Sequence, residues 1–72
     1  MKKFNEDDYK FFVELYNRCK IAGIRAKDLV YFMIQMNVDQ QQGQAIACLA
    51  EGRISMQEAL NVQPGTGAIM LN

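Results

Sequence analysis

Seventy-two residues, half of them apolar, make one small domain that can build a core but has little stability to spare. Eight acidic and eight basic residues cancel, so no net charge steers the chain toward a nucleic acid or an anionic membrane. Two cysteines are too few for a disulfide scaffold, and no apolar run approaches the roughly 20 residues that span a bilayer.

Met1-Lys2-Lys3 carries the charge of a secretory leader, but the polar run Asn5-Glu6-Asp7-Asp8 follows where an apolar stretch would have to come. No signal peptide is expected, and a cytoplasmic location is. Asn5 instead reads as a helix cap. Asp8 sits three residues on to close a capping box, and Phe4 is placed to staple onto Tyr9. The first helix is expected over about 6–22. At roughly 100° per residue, Phe11, Phe12, Leu15, Tyr16, Cys19 and Ala22 fall on one side of it, widened by Tyr9 and Val13. That arc exceeds half the circumference, so this helix is expected to be gripped by several others or shared with a partner.

Gly23 stops the first helix, and Ile24-Arg25 with Asp28-Leu29 starts the second, over about 26–36. Arg25 is a poor cap, but Ile24 and Leu29 can staple, and Asp28 suits the positive helix end. Residues Leu29-Val30-Tyr31-Phe32-Met33-Ile34 are apolar all round. Six such residues can also make a buried strand; the stapled start and Met36 favour the helix. So small a domain can hardly cover every face of such a helix, which points to a protein partner, most simply a second copy. Met33 and Met36 read first as packing residues.

Asn37 ends the second helix, and Asp39 caps a third, expected over about 40–51. It opens with Gln40, Gln41, Gln42 and Gln44. Glutamine bonds adenine edges, and the start of the second of two closely joined helices is where a helix-turn-helix reads bases. Arg25 and Lys27 would then hold phosphates. Against this, the third helix has no Lys or Arg, while phosphate neutralisation supplies much of DNA affinity. Met33 and Asn37 also stand where that motif prefers a small residue and a glycine. The simpler expectation is a solvated glutamine face, with Gln42 closing a capping box on Asp39. Gly43, Ala45, Ala47 and Ala50 suit close helix packing around Ile46 and Leu49.

Gly52 stops that helix, and Ser55 with Glu58 makes a full capping box for a fourth, over about 56–61. Pro64, Gly65 and Gly67 then break the pattern before Ala68-Ile69-Met70-Leu71. Left free, those apolar residues would be an aggregation hazard. The tail, 64–72, is therefore expected to be ordered and extended, docked on the 1–63 helical domain or on a partner.

Little in the sequence suggests chemistry. There is no histidine, and the one serine, Ser55, is committed as a cap. Neither cysteine has an evident base beside it, and Glu6, Asp7 and Asp8 serve the helix dipole. No metal and no cofactor are expected. The expectation is an all-α bundle of three to four short helices acting as a non-enzymatic adaptor or regulatory module, through self-association or docking on a larger protein. Its candidate partner-binding residues are Phe11, Leu15, Tyr31, Phe32, Met36, Ile69, Met70 and Leu71. The alternative is a small helix-turn-helix DNA-binding regulator using Arg25, Lys27, Gln40, Gln41 and Gln44.

Overall fold

The computed structural model describes residues 3–63. The expected tail, with Ile69, Met70 and Leu71, lies outside them. Four helices follow in order: α1 (Glu6–Ile21), α2 (Ala26–Gln35), α3 (Gln40–Ala50) and α4 (Met56–Leu60). There is no strand among the described residues, and the run 29–34 is helical.

Local chemistry sets the ends of these helices. Asn5 accepts from the Asp8 amide at 2.9 Å, and Asp8 accepts from the Asn5 amide at 3.0 Å. Ser55 and Glu58 make the same reciprocal pair at 3.1 and 2.8 Å. Phe4 staples onto Tyr9 edge-to-face, with ring centroids 5.3 Å apart. Arg25 makes no cap bond; its guanidinium reaches Asp28 at 3.2 Å instead.

The first three helices close in one way. Gly23, Asn37 and Gly52 all take a positive φ, at 94°, 70° and 76°. One residue later, the amides of Ile24, Val38 and Arg53 donate to the carbonyls of Cys19, Met33 and Cys48, five residues back. This is the Schellman closure, which satisfies carbonyls the helix leaves over and turns the chain sharply.

The turns bring three helices onto α3, which packs against α1, α2 and α4, whereas α2 and α4 do not meet. Tyr9 on α1 lies in the field of Asp39 at the start of α3, and Tyr16 bonds Glu51 at its end, so α1 and α3 run the same way. Val30 faces Gly43, and Ala26 lies by Ala47, so α2 runs back along α3. Ile46 is fully enclosed, and Tyr9, Tyr16, Leu29, Met33, Val38, Ala45 and Ala59 complete the core.

Two expectations about α3 need correction. Gln42 does not belong to a solvated face: it is 1% exposed, because it shares the inward arc with Ala45 and Ile46. Asp39 still caps, accepting from the Gln41 and Gln42 amides at 2.9 and 3.2 Å. Gly43 is not squeezed. A Cβ there would meet Val30 at 3.8 Å and Val38 at 4.0 Å, ordinary contact distances. Gly43→Ala should therefore fit and raise stability by about 0.5–1 kcal/mol, through the entropy glycine loses in a helix. Urea unfolding checks this: the midpoint should rise, and a fall would show the site to be tighter than these distances allow.

Candidate interaction surface

The wide apolar arc of α1 divides in the fold. Tyr9 and Tyr16 are buried and Phe12 and Cys19 half-buried, while Phe11, Leu15 and Ala22 form an exposed edge. On α2, Leu29 and Met33 turn inward and Val30 and Ile34 are half-buried. Tyr31, Phe32 and Met36 stay outside. The exposures are large for such residues: Phe11 62%, Tyr31 58%, Met36 55%, Phe32 51% and Leu15 37%. Met36 is thus not a core residue. It sits one turn beyond Phe32, past the point where the helix meets α3.

Leu15, Phe32 and Met36 share a groove. A cavity of about 220 Å³ opens between α1 and α2, lined by Leu15, Cys19, Ile24, Phe32, Met33 and Met36. Phe11 extends the patch one turn back along α1, with its ring edge-on to Phe12 at 5.1 Å. Tyr31 extends it on the other side, 6.1 Å from the Phe32 ring. With aromatic side chains presenting about 150–250 Å² each, five residues at these exposures leave on the order of 500 Å² uncovered. A monomer's largest apolar patch is roughly 300–600 Å² and is often functional. This patch lies at the upper end of that range on a very small molecule. Ile21, 87% exposed, was not anticipated; it does not line the groove and lies on the Glu14 and Arg18 side of α1.

The DNA-reading residues are not brought together as a set. Arg25 is engaged with Asp28. Gln40 and Gln41 are half-buried at the start of α3, whereas Lys27 lies toward its far end, because α2 runs back along α3. Lys27 and Gln44 do share a hollow of about 320 Å³, together with Arg53, Cys48 and Glu51. Sequence reasoning did not find Arg53 there. Among the described residues, no three His, Cys, Asp or Glu side chains are grouped to hold a metal ion, and no helix is long and apolar enough to cross a membrane.

One polar contact ties α1 to α3 behind the groove. The Tyr16 hydroxyl donates to Glu51 Oε2 at 2.6 Å, tying the middle of α1 to the end of α3. Arg53 Nε lies 3.4 Å from the other Glu51 oxygen, and the Lys20 ammonium sits 5.9 Å from the Tyr16 ring centre. Burial and this bond to a carboxylate push the Tyr16 phenol up to about 12. The same bond holds Glu51 below its usual range. Nothing in the sequence marks the pair, whose members are 35 residues apart.

No family model matches this chain, and no match was found among curated proteins or among solved structures.

The Tyr16 bond has a pH signature. A phenol with a raised folded pKa stabilises the protein fully below its unfolded value near 10 and loses that contribution as pH climbs through about 12. Tyr16→Phe should cost about 1 kcal/mol at neutral pH. The wild type should then lose about 2 kcal/mol relative to the variant between pH 10 and 12. Tyr9 titrates in both proteins and cancels. Urea unfolding of the two across that range measures the difference; a gap that stays constant contradicts the assignment.

Proposed function

We propose that this chain is a non-enzymatic protein-interaction module, adaptor or regulatory in character, whose docking surface is the apolar face shared by α1 and α2. The observation that carries this reading is the apolar groove lined by exposed Leu15, Phe32 and Met36, with exposed Phe11 one turn from Leu15 and exposed Tyr31 beside Phe32. Hiding such a face from water is worth roughly 25 cal/mol per Å², so a partner that covers it gains a driving force no polar face of this domain offers. The groove floor is built from core residues such as Met33, which gives a preformed seat and a small ordering cost on binding.

A helix-turn-helix DNA-binding regulator is the second reading, favoured by the hollow that joins Lys27, Gln44 and Arg53. It ranks behind because Glu51 shares that hollow and α3 contributes no cation.

Phe32→Asp with Met36→Ser separates the two readings. Both positions are half exposed, so the variant should stay folded and lose about 1 kcal/mol or less. Its association with itself or with proteins of the native lysate, read by light scattering and co-purification, should be abolished. Association that survives the double substitution contradicts the docking reading. Salt-sensitive retardation of random duplex DNA, lost in Lys27→Ala with Arg53→Ala, would move the assignment to the second reading.

A further inference from the structure

We infer that a second hollow, on the other side of α1 from the groove, is the seat of this chain's own segment Ala68-Ile69-Met70-Leu71, which lies outside the described residues. The inference goes beyond the docking role proposed above and leaves the α1–α2 groove free.

The hollow lies where α1 passes the end of α3 and the start of α4. Half-buried Val13, Leu49 and Met56 line it, together with exposed Phe11, Lys10 and Glu14. It shares no residue with the groove, and at about 100° per residue Val13 and Leu15 point roughly 160° apart on α1. Its volume is about 670 Å³. A cavity of about 150 Å³ accepts one benzene ring, so this one takes several side chains.

Chemistry favours this occupant. Residues 62–72 carry no charge, and Lys10 and Glu14 cancel at the hollow, so an uncharged apolar segment meets no net charge there. Covering Phe11, 62% exposed, together with Ile69, Met70 and Leu71 removes apolar surface on both sides of the contact.

Position and reach agree with the chemistry. Met56 is the first residue of α4, and Gln63 stands just past the end of that helix. Gln63-Pro64-Gly65-Thr66 has the sequence of a type II turn, with Pro and Gly at the two central positions, and such a turn sends the chain back along α4. At about 1.5 Å per helical residue, Gln63 lies no more than roughly 15 Å from Met56. Residues 67–71 span up to about 17 Å, enough to run back over the hollow. The groove is the worse seat. Helix α4 packs on α1 and α3 but does not meet α2, so the segment would have to cross α1 to enter it.

Nuclear magnetic resonance on the full chain tests this. The Ile69 and Leu71 methyls should show through-space contacts to the Phe11 ring and the Met56 methyl, with intensities that do not change on dilution. Ile69→Asp with Leu71→Asp should remove those contacts, shift the amide signals of Val13, Leu49 and Met56, and lower the urea midpoint. Neither residue belongs to a helix, so helicity by circular dichroism should not change. The contacts should persist in Phe32→Asp with Met36→Ser, so that this seat and the docking face fail separately. Signals of the Ile69 and Leu71 variant that differ from wild type only within residues 64–72 overturn the inference. Contacts to Phe32 or Met36 in place of Phe11 and Met56 overturn it as well. So do contacts that fade on dilution, because they come from another copy.

Discussion

Everything else in this domain depends on how fully α3 is enclosed. Ile46 has no exposed surface, and Gln42, Gly43 and Ala45 share its inward arc. Their side chains are mostly small, so α1, α2 and α4 can all approach one short helix. In a chain of 72 residues that arrangement uses most of the burial there is to make. Each helix turns one face to α3, and among the described residues nothing covers the outer flanks. On α4 that costs little, because its outer residues are polar. On α1 and α2 the flanks are Phe11, Leu15, Tyr31, Phe32 and Met36.

The exposed face is therefore a by-product of the core and shares its rigidity. Leu29 and Met33 line the groove from below while belonging to the core. The bond from Tyr16 to Glu51 locks α1 against the end of α3, and the closure at Asn37 returns the chain directly into α3. Between them these contacts tie both α1 and α2, the two walls of the groove, to α3. A seat already formed in the free chain suits binding with little rearrangement.

How much of this the sequence discloses depends on range. The boxes at Asn5 and Ser55, the staple of Phe4 on Tyr9 and the stops at Gly23, Asn37 and Gly52 all lie within six residues of their partners, so pattern alone finds them. The surplus of apolar surface was legible too, since six consecutive apolar residues around a helix cannot all face inward. What escaped was set by helix packing across long separations. Four glutamines look alike in sequence, and only the approach of α1 and α2 decides that Gln42 turns inward while Gln44 stays in water. Tyr16 reads as one more apolar residue until the parallel course of α1 and α3 brings Glu51 to its hydroxyl. Arg53 joins Lys27 only because α2 doubles back.

The central claim is that one folded subunit leaves the α1–α2 face open to water. The chain has no tryptophan, so Phe32→Trp places a single reporter at the rim of the groove. Its fluorescence, followed from high dilution to high concentration, reads the claim directly. Emission should sit at long wavelength when dilute and move to shorter wavelength when a second copy or another protein covers the face. Emission that is short even at the highest dilution would mean the subunit covers the face by itself, and would contradict the claim.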